Sequence, residues 1–523
     1  MITTSDSQNH IYYFYLQGGK ENMRKKLVKK TISLGLAVAM AVSMAACGKS
    51  ETEGSASKDN TIPIKWYVAS AGTYTDVESV QKAVNEYVAD QYDMNIDLQL
   101  IFTDFANYPQ KMQMVISSGE EYDICWTSNW NNNYYDNINK NAFLELDELL
   151  PKEASELQGS IDDYIWNSVK VDEKIYGVPN QQVFFKQNYV AIAKEYVEKY
   201  NLDTSKIHKL RDLEEFFLQI KKENPDIYPL AASNKGLVGK NYLAIGFEPL
   251  ISQNVPGVIA LDGTDTKVLN QYEELESLKE FYDLMYSWQQ KGIVRQDAAT
   301  VSDDAVPDIK AGKHVAALNA TFKPGVEAIE KNNFGGKDVE FIMLSDAYIS
   351  TDSMVSSLNA ISRTSKNPEV AMKFLNLVNT DEKLYNLLCF GIEDVHYTLS
   401  EEGKVLVDDS KGYNPNADWV FGNQFNGLLR EGQEEGVWEE TKEANTVAEK
   451  SRILGFTFDS TSVTNELAAV NAVIDQYALP LETGAVDPDK TLPEFCSKLK
   501  AAGCDTVIEE LQKQLDAWIA ETK

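Results

Sequence analysis

A loop rich in flat rings and amides, Trp126-Thr127-Ser128-Asn129-Trp130-Asn131-Asn132-Asn133-Tyr134-Tyr135, follows directly on the short apolar run Tyr122-Asp123-Ile124-Cys125-Trp126. Ring faces pack on apolar C–H surface, and amides and carboxylates exchange hydrogen bonds with hydroxyls. Sugars present both kinds of surface. The plainer alternative makes one tryptophan core and leaves the asparagines to turn the loop. Trp419, Phe421 and Gln424 form a second ring-and-amide cluster, whose alternative role is packing of the C-terminal region. Glu248 and Phe458-Asp459 are candidates of the same kind.

Catalytic chemistry finds no local motif. GxSxG, HExxH and GxxxxGK[ST] are absent, and beyond the first residues only His208, His314 and His396 remain, far apart in sequence. A glycoside hydrolase needs two carboxyls about 5–10 Å apart, and 80 acidic residues single out no such pair. Asp262-Gly263-Thr264-Asp265 and Asp487-Pro488-Asp489 hint at calcium, but neither supplies an EF-hand set of ligands, so both read as turns. The expectation is a binding protein with no catalytic residue, cofactor or metal.

The elements that must hold these loops alternate. Ile62–Val68 reads as a strand, Val77, Val80, Val84 and Val88 recur at helical spacing, Asn95–Phe102 is a strand and Tyr108–Ser117 a helix. Strands alternating with single helices make a parallel sheet with helices on its faces, and ligands bind beyond the carboxyl ends of such strands. Further helices are expected at Leu210–Glu223, Leu275–Gln290, from Asn367-Pro368-Glu369, and over Val507, Leu511, Leu515 and Trp518. Val315–Leu318 and Glu340–Leu344 are strand candidates, and Thr491-Leu492-Pro493-Glu494 has capping-box spacing.

Near the start, Arg24, Lys25, Lys26, Lys29 and Lys30 precede the apolar stretch Leu34–Ala46, which ends at Cys47. A basic region, a short apolar run and small residues before a cut site make a secretory signal; the run is shorter than the ~20 residues of a spanning helix. Met44-Ala45-Ala46-Cys47 resembles the lipobox of bacterial lipoproteins, whose cysteine is lipidated and becomes the new N-terminus. Residues 23–46 are then the signal, with Met23 the expected start, and the polar stretch 47–60 is a flexible tether. Cleavage removes six basic and two acidic residues, moving the formal charge from −31 to −35. Such a surface repels phosphate backbones and excludes nucleic-acid binding. The roughly 460 remaining residues imply two domains or lobes. Cys496 and Cys504 are about 12 Å apart along a continuous helix, beyond the ~7 Å reach of a disulfide; a helix ending at Gly503 leaves the bridge open, and free buried thiols are the expectation.

Four ordered blocks resemble extracellular solute-binding proteins (family 1) of carbohydrate-uptake ABC importers: Ile116-Ser117-Ser118-Gly119-Glu120-Glu121-Tyr122-Asp123-Ile124, Ile175-Tyr176-Gly177-Val178-Pro179, Ala311-Gly312-Lys313-His314-Val315-Ala316-Ala317, and Asn367-Pro368-Glu369-Val370-Ala371-Met372-Lys373-Phe374-Leu375. Asn379–Asp381 through Gly391–Tyr397, and Trp419–Gln424, resemble a lipoprotein subgroup with a C-terminal region of the DUF3502 kind. The resemblance implies an α/β, two-lobe periplasmic-binding-protein-like fold with a hinge and central cleft. Its mapping places 61–177 plus 353–410 in the first lobe and 178–352 plus 411–523 in the second.

Carried onto this chain, the resemblance makes Trp126 a stacking ring and Asn129 a polar contact, with Trp130 close by. It puts Tyr74 and Asp76 at the cleft mouth, although Asp76 is equally a helix N-cap. Gln181 and Gln182 follow the crossing at Pro179. Asn319-Ala320-Thr321-Phe322 matches the family's N-G-x-W loop, so Phe322 stands where a tryptophan is usual. The implied partners are a sugar or oligosaccharide and membrane permease subunits, for a monomer held outside a Gram-positive-type cell by the lipid on Cys47. The alternatives are a peptide or other small-solute receptor on the same scaffold, or a tethered glycoside hydrolase. Amino-acid ligands usually need a buried arginine, and Arg211, Arg295, Arg363, Arg430 and Arg452 all lie outside the aromatic loops, which favours an uncharged sugar and leaves acidic sugars such as uronides open through Arg452 or Lys323.

Overall fold

The computed structural model describes residues 61–522. The signal, Cys47 and most of the tether lie outside the described residues. Two main sheets are built from β1 (Ile62–Ser70), β2 (Ile96–Asp104), β3 (Ile124–Thr127), β4 (Val178–Pro179), β5 (Tyr189–Ala193), β6 (Ala316–Asn319), β7 (Val339–Met343) and β8 (Leu358–Ile361). The first sheet runs β2-β1-β3-β8-β4 and the second β6-β5-β7.

In the first sheet β1 pairs parallel with β2 and β3, as the alternation predicts, while β8 is antiparallel to both β3 and β4. The second sheet departs further: both β6 and β7 are antiparallel to β5. Central β1 is almost wholly buried from Trp66 to Ser70, which explains its near-continuous apolar run.

The helices follow their apolar stripes. α1 (Val77–Tyr92) buries Val80, Val84 and Val88; α2 (Tyr108–Ser118) ends at Gly119, whose φ of 69° accommodates the left-handed cap. Against the same core lie α5 (Pro368–Thr380) and α6 (Glu382–Phe390), while α3 (Glu214–Glu223) and α4 (Glu276–Gln290) pack in the second, with α7 (Thr464–Glu482) and α8 (Pro488–Ala501). α9 (Cys504–Thr522) buries Val507, Leu511 and Leu515 in a satellite cluster. The expected capping box at Thr491 is not a helix start: α8 begins at Pro488, and the Asp487 side chain accepts from the Asp489 N–H. Cys496 and Cys504 fall on two helices and are free and buried; burial pushes their thiols up to about 11 and about 12. Among the described residues no helix is long and apolar enough to cross a membrane.

Core membership shows where the chain crosses between bodies. Phe184 and Phe185 belong to the first core and Tyr189 and Val190 to the second body; Tyr348 lies in the second and Ile349 in the first; Ala448 lies in the first and Ile453 in the satellite cluster. The three crossing segments run side by side. Lys186 and Tyr348 exchange two backbone hydrogen bonds of 2.8 Å, and Ser451 N–H donates to the Ile349 carbonyl at 2.8 Å. The sequence mapping drew these crossings at 177/178, 352/353 and 410/411. The third differs most, because Tyr413, Ala417, Val420 and Phe421 pack into the first core.

Candidate functional site

The carboxyl ends of β1, β2, β3 and β4 meet on one edge of the first sheet, where β8 begins. The loops leaving that edge carry Tyr74, Phe105, Asn129 with Trp130, and Gln181 with Gln182; the segment entering β8 brings Asp352 and Ser356. This convergence is where ligands bind in such sheets.

Three half-buried rings form a platform there. Phe105 and Trp419 stack at 5.4 Å with planes 15° apart, and Trp130 lies 5.9 Å from Phe105 and 6.1 Å from Trp419. Trp126 is 0% exposed beneath them. It meets Phe105, Trp130 and Trp419 edge-on at 5.4–5.8 Å, and its indole N–H donates to Ser357 Oγ at 2.9 Å. The stacking role expected for Trp126 is therefore corrected: its faces are covered, and it is the floor of the platform.

Polar groups rim these rings. Asn129 Nδ2 donates to Asp352 Oδ1 at 2.9 Å and to the Asp352 carbonyl at 3.0 Å, which fixes the amide and leaves the carboxylate beside the platform. Trp130 Nε1 donates to the Ser356 carbonyl at 2.9 Å, and Gln182 Nε2 lies 3.3 Å from Ser356 Oγ. Gln424 joins through its backbone N–H, which donates to the Gln181 carbonyl at 2.8 Å, whereas the Gln181 side chain turns to Ser160. The remaining asparagines do turn the loop: Asn131 reaches the Phe105 carbonyl, Asn132 takes a φ of 48°, and Asn133 caps the helix Tyr134–Asn139.

Other expected site residues lie apart from the platform. Tyr74 packs edge-on against Phe102 at 5.0 Å and donates to the Pro415 carbonyl. Asp76 precedes α1 without a side-chain capping bond to the helix backbone. It instead accepts from Ser79 Oγ and from His396 Nε2 at 3.1 Å, and these bonds hold its carboxyl below the usual range. His396 Nδ1 accepts the Ile392 N–H, so Nε2 carries the proton. Phe322 is half-buried on the second body against Tyr189 and Phe341.

Two expected residues are internal. Phe421 is 0% exposed and stands edge-on to Trp66 at 5.7 Å, so it is core. Glu248 is 3% exposed and accepts from Tyr348 Oη and Ser451 Oγ, both at 2.7 Å. It thus bolts the second body to two crossing segments. Burial pushes its carboxyl up to about 7, against the opposing pull of those two hydroxyls. Asp459 caps its own turn through Thr461, and Phe458 packs on the satellite cluster.

Phe105, Asp352 and Ser356 were not singled out from sequence. Phe105 had a usable signal, a ring one residue beyond a strand's carboxyl end. Asp352 and Ser356 had none, because they precede an antiparallel strand whose place in the sheet is a tertiary fact. Arg295 pairs with Asp297 and Asp308, Arg430 with Asp418, and Arg452 with backbone carbonyls of Ala260 and Gly263. Among the described residues no group of three or more His, Cys, Asp or Glu could hold a metal ion.

Residues 71–383 match the family model described as bacterial extracellular solute-binding protein, and 452–520 match a domain of unknown function, DUF3502. That second match lies beyond the stretches at 379–397 and 419–424 from which the subgroup was read. The chain is 30% identical over 496 residues to a carbohydrate ABC transporter substrate-binding protein of Streptococcus pneumoniae serotype 4, covering 93% of this chain and 97% of the relative. It is 27% identical, with TM-score 0.77, to the crystal structure of the N-glycan transport solute binding protein NgtS from Streptococcus pneumoniae, over 88% of this chain and 100% of that one. Against the same protein in complex with Man1GlcNAc and with Man5GlcNAc the TM-scores are 0.67 and 0.65, at the same coverage. With its two cores, three crossings and sheet-edge platform, the chain belongs to the family of bacterial extracellular solute-binding proteins and has their two-lobe fold.

Proposed function

We propose that this protein is the substrate-binding component of an ABC importer, capturing an oligosaccharide on the Phe105–Trp130–Trp419 platform and delivering it to the permease. The observation that carries the reading is the ring platform rimmed by Asn129, Asp352 and Gln182, which offers stacking surface and hydroxyl partners side by side. The relatives' own ligands favour a mannose- and N-acetylglucosamine-containing glycan. Arginines engaged by carboxylates and carbonyls disfavour a free amino acid. No step of chemistry on the sugar is proposed.

The lobes we assign are 61–185 with 349–448, and 189–348 with 453–522, turning about the three crossing segments. Capture then closes the second lobe, with Phe322, onto the platform; a ligand touching both lobes selects the closed state. The lower likeness to the sugar-bound relatives supports this, since displacing one lobe as a rigid body lowers an overall superposition. The lipobox ending at Cys47 supports a lipid anchor on the outer face of the cell membrane.

Isothermal titration of the purified chain with Man5GlcNAc, a uronide oligomer and a mixed peptide pool tests the reading. Saturable binding of the glycan, recovered intact, is expected. Binding of peptides alone, or turnover of the glycan above an inactive-protein blank, refutes it.

A further inference from the structure

Trp419 sits in a short turn, Asp418–Val420, outside both main sheets, yet it supplies one of the three platform rings. What holds it is a buried polar cluster. Asn180 and Asn359 are 0% exposed and Ser357 is 1% exposed. Asn180 Nδ2 lies 2.9 Å from the Trp419 carbonyl, 3.1 Å from the Val420 carbonyl and 2.9 Å from Ser357 Oγ. Ser357 Oγ donates to the Trp419 carbonyl at 2.8 Å, and Asn359 Nδ2 reaches the carbonyls of Val420 and Phe421 at 2.9 and 3.1 Å. Asn359 Nδ2 also meets Asn180 Oδ1 at 3.1 Å, while its Oδ1 accepts from Trp66 Nε1 at 3.2 Å.

Three successive carbonyls of a segment without strand partners are thus satisfied by side chains from β8, from the residue before it and from the residue after β4. Buried carbonyls left unpaired are costly, so this cluster determines which position the turn adopts. The same cluster accepts the Trp126 indole N–H on Ser357 Oγ, which locks the floor to the ring above it. Asn180 also stands a few residues before the first crossing, so the platform and the approach to the hinge are one connected piece.

We propose that Asn180, with Ser357 and Asn359, is a positioning residue for ligand binding: it touches no ligand, and sets affinity by holding Trp419 stacked on Phe105. This rests on the platform being the sugar site, and the test separates the two claims. The protein is labelled with 5-fluorotryptophan, and the Trp419 resonance is assigned with Trp419→Phe. Asn180→Ala should shift or broaden that resonance and leave the Trp288 resonance, in the other core, in place. Should Asn180→Ala fail to fold, Ser357→Ala gives the same readout. A folded variant with an unmoved Trp419 resonance overturns the proposal, whether or not any sugar binds.

The second arm is a double-mutant cycle with Man5GlcNAc as probe. Asn180→Ala should weaken affinity about tenfold in the parent and less than about twofold in a Trp419→Ala background, because the ring it positions is already gone. Equal losses in both backgrounds overturn the proposal. A parent that binds no Man5GlcNAc instead overturns the choice of glycan, and the fluorine readout still decides the positioning role.

Discussion

Truncating each of two neighbouring tryptophans should give opposite results. Trp126 is 0% exposed, donates to Ser357 Oγ and supports three rings from below. Trp126→Ala opens a cavity in the first core, and removing a buried aromatic of this size costs about 3–5 kcal/mol. At roughly 2–4 °C per kcal/mol for a domain of this size, the melting temperature should fall by about 6–20 °C. Trp130 is half-buried, so Trp130→Ala removes few core contacts and should shift melting far less. Its loss is felt when a sugar covers the exposed face. Full burial of a large apolar side chain is worth roughly 1.5–3 kcal/mol, and each 1.4 kcal/mol is about tenfold in affinity. Affinity for Man5GlcNAc should therefore fall about 10- to 100-fold. Differential scanning calorimetry and isothermal titration on both variants give the four numbers. If Trp130→Ala keeps parental affinity, or Trp126→Ala keeps parental melting and loses only affinity, the floor-and-platform assignment is refuted.

Glu248 binds its proton more tightly folded than unfolded, since burial raises its carboxyl from 4.5 to about 7. Its contribution to stability is then fully present below about pH 4.5 and declines as pH rises through 7, by roughly 3 kcal/mol in all; Glu248→Gln should flatten that part of the denaturation profile, and an unchanged slope counts against the hinge-bolt assignment. Small-angle scattering should show a smaller radius of gyration with saturating Man5GlcNAc, and tight binding without compaction sinks the closure model. Cys47→Ser should move the protein from the membrane fraction to the medium or leave the signal uncleaved, whereas unchanged fractionation and mature mass refute the lipid anchor.

The sequence by itself determined most of the local structure and the ring-and-amide character of the loop at the sheet edge. Period-four valines specified α1, apolar runs specified β1 and β3 and alternation specified β2, and Asn367-Pro368 marked the start of α5, because these signals act over one or two turns of chain. The ring-and-amide loop after β3 was legible for the same reason: side-chain chemistry and a strand's carboxyl end are both local. Burial was not local. Trp126 and Trp130 are the same residue four positions apart, and only packing against Phe105, Tyr108 and Trp419 makes one the floor and the other the surface. Phe421 and Glu248 carried the right chemistry and were drawn into a core and a hinge by contacts 100 residues or more away in the chain, such as Glu248 with Tyr348 and Ser451. Asp352 entered the site only because β8 pairs antiparallel with β3, delivering its preceding loop to the edge where the parallel strands end. Which side chains share an edge is decided by strand order, and strand order is settled by the whole chain's burial rather than by any local stretch.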